Sequence, residues 1–300
     1  MSAVASKDLS GEKKQLFGFL NIYKPVGMTS HDVVAVLRRV TKIKQIGHAG
    51  TLDPFAEGVL PICVGKATRL IEYFQDDKEY LATVQFGAST NTFDLDGEKT
   101  SVSDKKVTKS EVEEGLKAFQ GEISQLPPIF SAIKVKGKKL YEYARKGEEV
   151  EIQPRKVVIE NIELKAFDEG NQQAQILIKC SKGTYIRSIA NDLGQNLGCG
   201  GYLVKLIRTQ AGSFRVENSV QLDGIEVEKN LVNPLAVLSL SKIAVSDEDL
   251  ARIKNGMPIE FLSREDVKFG NFVILVYNDV EICAVGVADG NKIKLKKVFL

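Results

Sequence analysis

Histidine is scarce in this chain. Only His31 and His48 occur among its 300 residues, so a multi-histidine metal site cannot be assembled within it. Cysteine is sparse and scattered. Cys63, Cys180, Cys199 and Cys283 form no C-x-x-C pair, which excludes a zinc ribbon and argues against a disulfide scaffold. An excess of charge of one sign is missing too. Lysine and arginine number 41 against 39 aspartates and glutamates, a formal +2. No global field therefore points to a polyanionic partner, and any basic surface must come from local clustering. No apolar run approaches the ~18 residues needed to span a bilayer. The opening MSAVASKDLSGEKKQ lacks the continuous apolar stretch of a secretory signal and reads as a polar tail over residues 1–15. The expectation is a reduced, cytoplasmic chain.

What is present suits a globular protein. The apolar fraction is 43% and the charged fraction 27%, enough for a sizeable core and incompatible with a mostly disordered chain. At about 150 residues per domain the length argues for roughly two domains. Phe19–Tyr23 is strand-like and leads into a Lys24-Pro25-Val26-Gly27 turn. Thr29-Ser30 then precede a helical pattern of Val33, Val34, Val36, Leu37 and Val40, where a hydroxyl can cap the first turn. A helix is expected from about Lys66. EYLATVQFG alternates with period two and predicts a strand. TNTFDLDGEKT reads as a polar turn, and a Ser-x-x-Glu box at Ser110 and Glu113 predicts the start of the next helix. VVIENIELKAF and AQILIKC are strands, SKGT a turn, and YIRSIANDLGQNL a helix. A boundary is expected near Lys242 to Ser246, followed by a β-rich unit over 246–300 with a turn at Asn278-Asp279. No glycine fingerprint follows the first strand, so the pattern favours α+β over a dinucleotide-binding α/β fold.

Two common chemistries fail on spacing. Gly58 to Gly65-Lys66-Ala67 is the nearest approach to a phosphate-binding loop, but it has six intervening residues where four are needed. Ala67 also replaces the magnesium-binding hydroxyl. The H-x-E and P-C-x-x-C pair of a zinc deaminase is absent. The informative stretch is Gly47-His48-Ala49-Gly50-Thr51-Leu52-Asp53-Pro54-Phe55-Ala56-Glu57-Gly58. Its glycines permit tight backbone conformations, and Pro54 drives Asp53 toward extended geometry. Such a loop can hold a carboxylate rigidly at a cleft with a histidine five residues away. An Asp-Pro turn with an incidental surface histidine satisfies the same residues.

This stretch resembles the catalytic motif of the TruB family of pseudouridine synthases. Lys24-Pro25-x-Gly27-x-Thr29-Ser30 is similar to the family's N-terminal motif, and Glu79-Tyr80 through Phe86-Gly87 to its central strand. Gln125-x-Pro127-Pro128 through Lys134, and Leu140-Tyr141-Glu142-x-Ala144-Arg145-x-Gly147, resemble its RNA-gripping segment, placed at about 124–152. Cys180 through Gly183-Thr184-Tyr185-Ile186-Arg187, and Leu206-Ile-Arg208-Thr209, complete a match over roughly 17–215 in the family's order. The resemblance implies a mixed-sheet catalytic domain over 16–242, and more loosely a PUA-like RNA-binding domain over 246–300.

The resemblance also implies roles. Asp53 would be the essential aspartate in breaking the C1′–N1 bond of a uridine and joining C1′ to C5. Arg187 would pair with it, orienting the carboxylate and lowering its pKa. Tyr80 would stack on the target base, although its apolar strand face also suits a core aromatic. Tyr185 and Leu206 would line the uracil pocket, and His48 would help hold the flipped-out nucleotide. Lys24 would position the loop or touch phosphate, while His31 would be structural or superficial. Ser131 to Gly147 carries six basic residues against one acid, and here Lys134, Lys136, Lys138, Lys139 and Arg145 would clamp RNA. The implied substrate is the T-loop uridine 55 of tRNA. No metal, nucleotide or organic cofactor, no membrane and no protein partner is implied, and the expected state is a monomer. A non-catalytic RNA-binding protein on the same scaffold is the competing reading, disfavoured because Asp53 and Arg187 are both present.

Overall fold

The computed structural model describes residues 16–75, 77–131, 133–261 and 266–300; the polar tail read at 1–15 lies outside them. The chain is α+β, and its main sheet is mixed. The strands are β1 (Gly18–Lys24), β2 (Glu57–Val64), β3 (Lys78–Phe86), β4 (Gly121–Gln125), β5 (Arg155–Asp168), β6 (Gln173–Cys180) and β7 (Gly201–Ala211). They lie in the order β1-β2-β7-β3-β6-β5-β4, with the short strands Ile46–His48 and Phe214–Arg215 attached to β2 and β7. Only β7 and β2 run parallel, with Arg208 opposite Gly58. The other pairs along the path are antiparallel.

Local sequence accounts for most elements. On β3 the alternate residues Tyr80, Ala82, Val84 and Phe86 are buried, as period-two patterning requires. Helix α1 (Ser30–Thr41) starts at Thr29, whose hydroxyl accepts from Asp32 N while the Asp32 carboxylate accepts from Thr29 N. Its Val33, Val34 and Leu37 face inward. Helix α2 (Lys109–Leu116) begins two residues earlier than the Ser110–Glu113 box suggests. Thr108 and Glu111 form the reciprocal cap instead, because that start turns Val112 and Leu116, four apart, onto the core. Glu113 is left to pair with Lys109 on the surface. The helix expected from Lys66 is a 3-10 helix, Gly65–Tyr73, with Ala67 and Leu70 buried. Apolar residues three apart suit three residues per turn. Helix α3 (Leu140–Lys146) and helix α4 (Ile186–Asn196) follow in the chain.

The C-terminal unit is a second sheet of β8 (Ser241–Ala244), β9 (Ile259–Glu260), β10 (Phe272–Tyr277), β11 (Glu281–Asp289) and β12 (Lys292–Val298), ordered β8-β10-β11-β12-β9. Residues 241–244, which overlap the boundary expected near Lys242 to Ser246, are its parallel edge strand. A helix at Asp247–Lys254, capped by Ser246, also belongs to it and had no counterpart in the pattern reading. The two units share apolar packing. Phe19 stacks on Phe74, and Phe74 on Phe214, at 5.6 and 5.8 Å between ring centroids. Ile274, Val276, Val285 and Phe299 join the same cluster. Lys66 Nζ and Arg69 Nη1 donate to the carbonyls of Phe299 and Val298.

Candidate active site

The loop from Ala49 to Ala56 is fastened along its length. Ala49 N donates to Pro61 O. Ser30 Oγ accepts from Leu52 N (2.9 Å) and donates to Leu52 O (3.2 Å). Pro54 O accepts from Gly27 N (2.8 Å) and from Lys24 Nζ (3.3 Å). Arg208, on β7, donates to the carbonyls of Val59, Thr51 and Gly50. β7 can lie this close because residue 58 is glycine. At φ +105°, a Cβ there would stand 2.4 Å from Arg208 O. Beneath the loop, Leu52 and Phe55 join the core cluster that holds Tyr80, Ile186 and Leu206. The outcome is one carboxylate, Asp53, projected from a rigid backbone.

Asp53 meets Arg187, the second residue of α4. Arg187 Nε lies 3.1 Å from Asp53 Oδ2, and Nη1 lies 3.1 Å from Asp94 Oδ2. Nη1 also donates to Thr92 O, and Nη2 to Phe130 O. The arginine side chain is 7% exposed, whereas Asp53 keeps 36% of its side-chain surface open. Burial pushes the Asp53 carboxyl above the ordinary carboxylate value. The Arg187 charge pulls the other way and Asp94 adds to the rise. The expected lowering by the Arg187 cation is present, but desolvation outweighs it.

Asp94 was not singled out from sequence. It sits in the stretch read as a polar turn, yet it is 4% exposed. Thr92 Oγ1 and Asp96 N donate to its Oδ1, leaving Oδ2 for Arg187. A threonine–aspartate–glycine run announces a turn; here β7, bridged to it at Leu203, and Arg187 of α4 both lie against Asp94.

The other expected residues divide. Tyr80 and Leu206 are buried, and Tyr80 stands opposite Arg208 between β3 and β7. Tyr185 stands at the N-terminus of α4, its backbone N donating to Gln125 Oε1 and its O accepting from Gln125 Nε2. Burial raises the pKa of both phenols. His48 Nδ1 is buried without a hydrogen-bond partner among the described residues. Burial lowers the His48 pKa, and the His31 and Arg208 charges lower it further, so the neutral imidazole is favoured. His31, read as structural or superficial, lies edge-on to His48 at 5.3 Å. Lys24 is 0% exposed. Its ammonium donates to the carbonyls of Pro25, Met28 and Pro54, which uses all three donors. It therefore ties the turn after β1 to the loop. Burial lowers its pKa to about 8.

The basic segment is more ordered than its composition suggests. Lys134–Val135 and Lys138–Lys139 form a hairpin, turned at Lys136 and Gly137, both with positive φ. It leads directly into α3, anchored by fully buried Leu140. Lys138 lies over the Tyr143 ring, and Lys139 and Arg145 over Tyr141; Lys134, Lys136, Lys138 and Arg145 are exposed. The segment meets the Asp53 cluster through Phe130 O on Arg187. Among the described residues no group of three or more His, Cys, Asp or Glu could hold a metal, and no helix is long and apolar enough to cross a membrane.

Comparison with known proteins agrees across sequence and structure. A model of the TruB family pseudouridylate synthase N-terminal domain matches residues 38–186. One of the tRNA pseudouridylate synthase B C-terminal domain matches 187–233. The chain is 42% identical over 286 residues to the tRNA pseudouridine synthase B of Caldanaerobacter subterraneus subsp. tengcongensis, covering 94% of this chain and 99% of that one. It is 43% identical over 288 residues to that of Carboxydothermus hydrogenoformans, covering 94% and 98%. Among solved structures it resembles a Cbf5-Nop10-Gar1 complex, with TM-score 0.72 and 27% identity over 95% of this chain and 85% of that one. An H/ACA RNP bound to a substrate RNA containing 2′-deoxyuridine is similar at TM-score 0.72 and 26% identity, with the same coverage.

Proposed function

The chain belongs to the TruB family of pseudouridine synthases, and from that premise we propose that Asp53 is the carboxylate with which it isomerises uridine 55 of tRNA. The protein is a tRNA pseudouridine synthase B, an isomerase. The observation that carries the site assignment is the single open carboxylate on a loop pinned from four sides, paired with buried Arg187. The reaction breaks C1′–N1 and forms C1′–C5. N1 gains a proton and C5 loses one, so no redox partner or external energy is required.

Asp53 must be ionised to act on a sugar whose C1′ becomes electron-poor as the base leaves. Arg187 holds it in one orientation and favours the ionised form against desolvation. Tyr80 supplies a flat face for the flipped base. Tyr185 and Leu206 wall the pocket against water, which would otherwise trap the reactive sugar or the detached base. His48, neutral, takes part in holding the extruded nucleotide, and Lys24 keeps the loop in place. The T stem-loop is the portion of tRNA bound, with Lys134, Lys136, Lys138, Lys139 and Arg145 gripping its backbone and the C-terminal unit adding a PUA-like contact. A monomer is the proposed state. Four buried free cysteines support residence in the cytoplasm. The test is incubation with an unmodified tRNA transcript followed by mapping of pseudouridine. Conversion at position 55 is expected, and an unmodified position 55 overturns the reading.

A further inference from the structure

Among the described residues, the largest fully buried side chain carries a charge. Arg208 is 0% exposed, and a guanidinium keeps its proton at any working pH. Such burial is costly unless the donors are satisfied and the charge is used. Its donors converge on the candidate loop. Nε donates to Val59 O at 2.6 Å, Nη1 to Thr51 O at 3.2 Å and Nη2 to Gly50 O at 3.3 Å. The last two carbonyls lie two and three residues before Asp53. Arg208 itself is held from both sides, by Gly58 across the parallel pairing and by Tyr80 across the antiparallel one.

We propose that Arg208 is a positioning residue for the isomerisation, its planar fork fixing the Gly50–Thr51 backbone and thereby the direction of the Asp53 carboxylate, without touching RNA. This rests on the functional reading above. Two cations grip the loop's backbone: Lys24 from β1 holds Pro54, beyond the carboxylate, and Arg208 from β7 holds the approach to it. The charges facing Asp53 are Arg187 from α4, Asp94 from the turn after β3, Lys24 and Arg208. Arg208 pulls the Asp53 pKa down, against desolvation, and its field also reaches Tyr80, His48 and Lys24. A lysine at 208 would keep the charge and lose the fork, since an ammonium is a point donor on a flexible stem.

The experiment compares the wild type with Arg208→Lys and Arg208→Gln in single-turnover reactions on unmodified tRNA transcript, at saturating enzyme and across pH. The stoichiometry of tRNA binding reports the folded fraction. Arg208→Lys is expected to lose roughly 100-fold in rate per folded molecule, the scale of a small misplacement of a reacting group, while its tRNA Kd changes about twofold at most. Arg208→Gln is expected to lose at least as much. Its acid limb should also move to higher pH, because one cation favouring ionised Asp53 is gone. An arginine that only stabilised the fold would lower the folded fraction and leave the rate per folded molecule intact. That result, a wild-type rate in Arg208→Lys, or a loss residing in tRNA affinity overturns the proposal. So does an unmoved acid limb in folded Arg208→Gln; should that variant not fold, the rate–affinity split of Arg208→Lys decides alone. A wild type that forms no pseudouridine overturns the functional reading itself, which the variant comparison does not.

Discussion

Asp53 is placed where its ionised form is disfavoured, and this gives its substitution two opposite consequences. Asp53→Asn should abolish turnover while tRNA affinity stays within about tenfold, because binding is spread over many phosphate and shape contacts. Stability should move the other way. Burial raises the folded-state pKa of Asp53 above the ordinary 3.8, so the native state holds this proton more tightly than the unfolded chain does. Stability then falls as pH rises from the unfolded value through the folded one, and above both the carboxylate is a constant cost. The thermal midpoint of Asp53→Asn minus that of the wild type should therefore increase from pH 4 to pH 7.5. A difference that shrinks with pH would mean that the Arg187 pairing outweighs desolvation.

At the scale of elements, the close approach of β7 to β2 depends on residue 58. Gly58→Ala sets a Cβ against Arg208 O at a positive φ. Positive φ in a non-glycine residue costs on the order of 1–2 kcal/mol before any clash. A loss above about 2 kcal/mol in urea denaturation is expected, with activity falling in whatever remains folded. The basic hairpin before α3 behaves differently. Replacing Lys134, Lys136, Lys138 and Lys139 with Gln should weaken tRNA binding and flatten the dependence of log Kobs on log salt by about one unit for each phosphate no longer neutralised. Stability should change little, with the loss concentrated at Lys138 and Lys139. These sit over tyrosine rings, where an exposed cation contributes about 0.5–1 kcal/mol. A titration of the Asp53→Asn protein at several salt concentrations measures the slope, and an unchanged slope would place the RNA path elsewhere.

Across the whole molecule, the shared aromatic cluster couples the two sheets. Phe19, Phe74 and Phe214 come from the main unit, and Ile274, Val276, Val285 and Phe299 from the C-terminal one. Separating them would expose apolar surface on both faces, which favours joint unfolding. Calorimetry should show a single transition with matching calorimetric and van't Hoff enthalpies. Two resolved transitions would show that the interface contributes little. A separate contact, Arg187 Nη2 donating to Phe130 O, links the start of the basic segment to the arginine that pairs with Asp53.

The sequence by itself determined what is local. Alternation on β3, the threonine cap of α1, the Lys-Pro-x-Gly turn and the Gly-His-Ala-Gly-Thr-Leu-Asp-Pro loop were legible, because period, capping chemistry and backbone restriction act over a few residues. The choice between two overlapping caps at Thr108 and Ser110 was not, since both have the right spacing and only the core face selects one. Nor was the 241–244 strand, whose partner lies about thirty residues away. Tertiary structure alone decided the charges. Asp94, Arg208 and Lys24 look like ordinary surface groups in a linear reading, and each becomes buried only when strands and helices distant in sequence close over it. The same closure put the Asp53 carboxyl in surroundings that raise its pKa despite Arg187. Desolvation depends on everything packed around a group, and no sequence window contains that.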